Sequence, residues 1–71
     1  MKKYLIVIES TENGYSAYSP DIQGCVAFGH TKEETEKNIL EAIRNHLESL
    51  KEEGYKTPEP KCYAKYFEIV D

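Results

Sequence analysis

The stretch Tyr15–Glu34 constrains this chain more than any other, because almost every residue in it is either strand material or punctuation. Tyr15–Ser19 is short and aromatic-rich, which favours a strand. Pro20 has no N–H to give to a ladder, so pairing on that side stops there. Pro20-Asp21 opens a turn, and Gly24 supplies a positive φ. Cys25–Phe28 resumes a β-type run, and Gly29 breaks it. Thr31 is then a good helix N-cap. Glu34, three residues on, completes a Thr-x-x-Glu capping box. No residue here pairs a nucleophile with a base.

The flanks extend the pattern. Lys3–Glu9 is apolar on both parities, with Tyr4, Ile6 and Ile8 against Leu5 and Val7, as in a strand covered on both faces. Asn13-Gly14 follows, a strong hairpin signal between two β-type runs. After Thr31 the spacing predicts a helix from about Lys32 to Glu53. Thr35, Ile39, Ala42, Ile43, His46, Leu47 and Leu50 share one face, with Leu40 at its margin. Glu33, Lys37, Glu41, Arg44, Glu48 and Glu52 lie opposite. Gly54 is a natural stop, and Pro58 and Pro60 forbid continuation. Cys62–Val70 reads as a last strand, apolar on both parities.

The expected architecture is therefore α+β, in the order β-β-β-α-β. A right-handed crossover places the last strand beside the first, giving a mixed four-stranded sheet of order 3-2-1-4. One helix covers one face. The other face is left with aromatics, a feature that marks an interaction surface. The helix, at about 1.5 Å per residue, outruns strands of about 17 Å, so His46, Leu47 and Leu50 need a second cover. The same order sets Cys25 and Cys62 on opposite edges, about 14 Å apart at three strand spacings. A disulfide needs about 7 Å, so none is expected.

Seventy-one residues make one domain, 1–71, too small to be more than marginally stable alone. Disulfides, metals and oligomerisation are the usual remedies. The two cysteines have no metal-ligand spacing. No apolar run reaches signal-peptide length or the roughly 20 residues of a membrane span. A cytoplasmic homo-oligomer, a dimer first of all, is the expectation, with no membrane partner. The net charge of −4 argues against a phosphate-binding surface. No direct nucleic-acid binding is expected. Charge complementarity to a basic protein fits better.

The motif residues resemble the HicB family of antitoxins. Gly14, Tyr15, Ala17, Pro20, Asp21, Ile22, Gly24 and Cys25 match its first motif. Gly29, Thr31, Glu33 and Glu34 match its second, and Pro58 and Pro60 its closing Pro-x-Pro. His30 stands where the family has an acid, and Thr35 where it has alanine. The resemblance implies a partial ribonuclease-H-like fold and a protein that covers the active site of a small basic HicA-like ribonuclease toxin. Many members carry a further DNA-binding domain. The chain ends at Asp71, directly after the module, so operator repression is not expected of it.

Ribonuclease-H enzymes hold metal ions on converging carboxylates. Glu9, Asp21 and Glu68 offer no convincing cluster, so no catalytic residue, cofactor or metal is expected. Asp21 reads as a turn residue bonding its own backbone, His30 as an exposed loop residue, and His46 as a packing or interface residue, with a pH-sensitive contact as the alternative. Cys25 and Cys62 read as small buried strand residues. The expected partner-binding residues are Tyr18 and Phe28 as anchors, with Asp21, Glu33 and Glu34 at the rim. The alternative is a stand-alone oligomeric HicB-like module with a regulatory or ligand-binding role and no toxin.

Overall fold

The computed structural model describes all residues, Met1–Asp71. Three strands form an antiparallel meander: β1 (Val7–Thr11), β2 (Gly14–Ser19) and β3 (Ile22–Gly29). One helix follows, α1 (Lys32–Glu52). The Glu12-Asn13 loop closes the first hairpin, with Thr11 opposite Gly14. Pro20-Asp21 closes the second, with Ser19 opposite Ile22. β3 thus starts earlier than the expected Cys25. Its register slips, because Val26 and Ile22 face the adjacent residues Tyr18 and Ser19. The extra residues Gln23–Cys25 form a bulge around Gly24, whose φ is +84°.

The helix cap forms as its residues require. Thr31 is extended (φ −125°, ψ 163°), and its hydroxyl accepts from the Glu34 N–H at 3.0 Å. Glu34 reaches back to the His30 N–H at 2.6 Å, one residue before the cap. The far end closes with Gly54 N–H on Lys51 C=O and Tyr55 N–H on Leu50 C=O, the paired bonds of a Schellman motif.

α1 lies mainly over β3 and β2 and scarcely touches β1. Ile39 and Ile43 meet Ala17, Ile22, Cys25 and Ala27, and these six are the core. Ala17 and Ala27 are direct cross-strand partners, and their small side chains let the helix sit close to the sheet. Thr35 is fully buried, its hydroxyl donating to Thr31 C=O at 2.8 Å. The expected helix face is the buried one, with Leu40 exposed at its margin. Tyr4 and Ile6 of the N-terminal arm and Leu47 of α1 pack half-buried against the core, and Lys2, Tyr4 and Thr57 stand around Leu47 and Lys51 in the last turns.

Two expectations are corrected. The fourth strand is not paired within this chain: Cys62–Val70 belongs to no strand and is exposed throughout. β1 is consequently an edge strand, not the interior one its apolar parity suggested. The cause is the path of the preceding loop. Tyr4 donates its hydroxyl to Pro58 C=O at 2.6 Å, and Lys2 Nζ meets Thr57 Oγ1 at 2.9 Å and Glu59 at 3.2 Å. Lys61 and Cys62 then donate their N–H groups to Asp21, each at 2.9 Å. The chain therefore crosses the end of the sheet and leaves at the β2–β3 turn, away from the outer edge of β1.

Three substitutions separate the local causes. Gly24→Ala meets no atom within 4 Å, so it costs only the positive-φ strain, about 1 kcal/mol. Thr31→Ala loses the cap, also about 1 kcal/mol. Gly29→Ala places its Cβ 2.6 Å from Thr35 Oγ1 and 2.8 Å from Thr35 N, so it costs more than either. At about 4–8 °C per kcal/mol for a domain this size, thermal melts rank the three, and a Gly29→Ala midpoint above that of Gly24→Ala contradicts the close approach.

Candidate functional site

The face of the sheet away from α1 is bare. Residues directly opposite one another share a face, so Val7, Tyr18 and Val26 form one row across the three strands. Glu9, Ser16 and Phe28 form the next. Tyr18 is 39%, Val26 55% and Phe28 66% exposed. The expected aromatics Tyr18 and Phe28 thus lie diagonally on one patch. Val7 and Val26 complete it and were not singled out in the sequence. Their signal was the two-residue spacing from Glu9 and Phe28, legible only once register was fixed.

The acids divide. Glu33 is exposed in the first turn of α1. Glu34 is held by the capping box. Asp21 lies at the opposite end of the sheet, on the β2–β3 turn, and does not bond its own turn. Its carboxylate takes the two N–H groups of Lys61 and Cys62, some forty residues away. No sequence signal marks a contact of that span.

Two hollows lie at the two ends of the sheet. Thr11, Tyr15, Phe28, His30 and Glu34 line one of about 320 Å³ at the β1–β2 hairpin end. Asp21, His46, Glu59 and Lys61 line the other, about 540 Å³, where the chain crosses the sheet end. His30 is exposed and His46 half-buried. No three His, Cys, Asp or Glu side chains stand where they could hold one metal ion. No helix is long and apolar enough to cross a membrane.

Both thiols are free. Cys25 is buried with its Sγ 3.9 Å from Ala42 C=O, and burial pushes its pKa up. Cys62 is exposed, contrary to expectation. Its pKa is raised first by its hydrogen bond to the Asp21 carboxylate. The Cys62 N–H, and then that of Lys61, hold the Asp21 carboxyl below its ordinary value of 3.8.

The sequence profile of the HicB-like antitoxins of bacterial toxin–antitoxin systems matches residues 4–70. This chain belongs to the HicB-like antitoxin family. A UPF0150 protein of Thermoplasma acidophilum is 44% identical over 57 residues, 79% of this chain and 83% of that protein. A UPF0150 protein of Synechocystis is 35% identical over 68 residues, 94% of this chain and 86% of that one. Among solved structures, a HicA3 and HicB3 toxin–antitoxin complex superimposes with a TM-score of 0.68 at 42% identity, covering 83% of this chain and 70% of that one. A HicB3 antitoxin crystal structure gives the same score and identity over 80% of this chain, but only 42% of that one. The HicB-like match continues through Cys62–Val70, so this segment belongs to the family module.

The Asp21 contact is testable by pH. A carboxyl with a lowered folded pKa adds stability that is present above its unfolded value and is lost as pH falls through the folded one. The Lys61 and Cys62 amide resonances should therefore shift with a midpoint below 3.8. In a Cys25→Ala background, Asp21→Asn should speed alkylation of Cys62 at neutral pH, because thiolate is the reactive form. Equal rates would remove the contact.

Proposed function

We propose that this HicB-like chain is an antitoxin that neutralises a small basic HicA-like ribonuclease by covering its RNA-cleaving site. The bare apolar patch, on a chain 42% identical to one partner of a HicA3–HicB3 complex, carries this reading. Tyr18 and Phe28 are the anchors, because exposed aromatics at the centre of a patch supply most of an interface's energy. Glu33 stands at the rim. Asp21 and Glu34 already have backbone partners, so they contribute field more than new contacts. Glu9 joins them from the neighbouring row. The protein is a homodimer, has a partial ribonuclease-H-like architecture, works in the cytoplasm and cuts no RNA itself.

The physics matches the partner's chemistry. A chain of net charge −4 attracts a basic protein, and steered association slows with salt once the Debye length falls below about 10 Å. Rim acids should change the on-rate. Phe28→Ala or Tyr18→Ala should weaken binding by about 2 kcal/mol, roughly 30-fold.

Co-expression with a HicA-like protein from the same locus tests the reading. Growth should stop with the toxin alone and resume with this chain present. If the toxin kills equally in both, the antitoxin function fails and the stand-alone oligomeric module takes its place. Magnesium-dependent RNA cleavage by this chain alone would instead restore a nuclease.

A further inference from the structure

We infer that Cys62–Val70 is an exchanged strand, donated by each copy of this chain to the free edge of β1 in a second copy. This deepens the homodimer reading above and rests on it.

The surface area is the first argument. A folded chain of 8.2 kDa exposes about 4,500 Å², whereas this one exposes 6180 Å². The excess is roughly 1,600 Å² per chain, and twice that falls within the range of about 2,000–5,000 Å² seen at obligate dimer interfaces. The radius of gyration agrees: it is 13.9 Å, with a long dimension of 49 Å, against about 11 Å for a compact chain of this length. The excess lies where strand-forming residues are exposed. Tyr63, Tyr66, Phe67, Ile69 and Val70 are all at least 74% exposed.

The second argument is the path. Asp21 fixes Lys61 and Cys62 at the β2–β3 turn. In a sheet of order β1-β2-β3, that turn lies across β2 from the outer edge of β1. Pro58 and Pro60 stiffen the approach. The segment is thus directed away from its own β1 while staying exposed and outside any strand, and another copy's β1 is the matching acceptor.

The third argument is the acceptor. β1 carries unpaired backbone groups along its outer edge. Because α1 lies mainly over β3, an apolar groove of about 340 Å³ stays open beside β1, lined by Ile6, Ile8, Ile39, Leu40 and Glu36. A strand added there has one side in the groove and the other on the bare face beside Val7. That accounts for a segment apolar on both parities. Tyr63, Lys65, Phe67 and Ile69 share a side, and Lys65 stands over the Phe67 ring at 5.5 Å. That side offers apolar bulk to the groove and a cation to Glu36. Exchange of both segments is self-complementary and closes as a two-fold dimer. It also gives each sheet a fourth strand next to β1, the order 3-2-1-4 that the sequence implies.

Full-length variants decide it. In a lone chain Tyr66, Phe67 and Ile69 are all exposed, so Tyr66→Pro and the double substitution Phe67→Asp/Ile69→Asp leave the core untouched there and remove only the Lys65–Phe67 contact. In an exchanged dimer, the first removes a ladder N–H and the second buries two charges. Light scattering at micromolar concentration should give twice 8.2 kDa for the wild type and a monomer for both variants, with the helical circular dichroism retained. Amide exchange along β1 should be slow in the wild type and fast in the variants. Variants that remain dimeric overturn the exchange but leave the homodimer standing. A monomeric wild type overturns both.

Discussion

Everything in this domain depends on one contact layer, in which Ile39 and Ile43 lie on Ala17, Ile22, Cys25 and Ala27. The two alanines face each other across β2 and β3 and permit a short distance between helix and sheet. That short distance in turn restricts Gly29 to glycine, because Thr35 of the helix's first turn lies against it. The capping box then fixes the helix direction from its first residue. The layer is thin. Six apolar side chains, at about 1.5–3 kcal/mol for each large one, leave little beyond the chain entropy they must offset. A single helix also cannot cover both faces of a sheet, so the exposed surfaces follow from the same economy of elements.

Those surfaces are of two kinds, and they do not compete. The Val7–Tyr18–Val26 row and Phe28 lie on the bare face, while the Ile6–Ile8–Leu40 groove opens at the β1 edge. A toxin on the face and a second copy at the edge could be bound together. The acids also separate by role. Glu34 and Asp21 each hold backbone N–H groups, whereas Glu33 and Glu9 face solvent.

The sequence revealed what local chemistry governs. Asn13-Gly14, Pro20-Asp21, Thr31 and Gly54 act within a few residues, so hairpins, cap and helix end were legible, whereas the bulge around Gly24 was read as part of the loop before a strand starting at Cys25. So were the buried stripe of α1 and the exposure of Tyr18 and Phe28. Strand ends were less so: β1 starts at Val7, not Lys3, because Lys2 and Tyr4 are drawn to Thr57 and Pro58. The Asp21 contact was invisible, since its donors are two backbone N–H groups that no side chain announces. With it went the course of Cys62–Val70. Composition made Cys62–Val70 read as a strand, but this chain's structure pairs it with nothing.

The connectivity of the meander has a kinetic side. β1 pairs with β2, β2 with β3, and α1 packs back on the strand that precedes it. Such short separations close with little loop entropy and favour rapid folding. The hairpins and helix can form in a first-order step within one chain as it emerges from synthesis. The β1 edge stays open after that step, a template for wrong pairing. If the strand exchange inferred above covers it, the rate of protection is second order and is set by how fast the chain's own concentration rises.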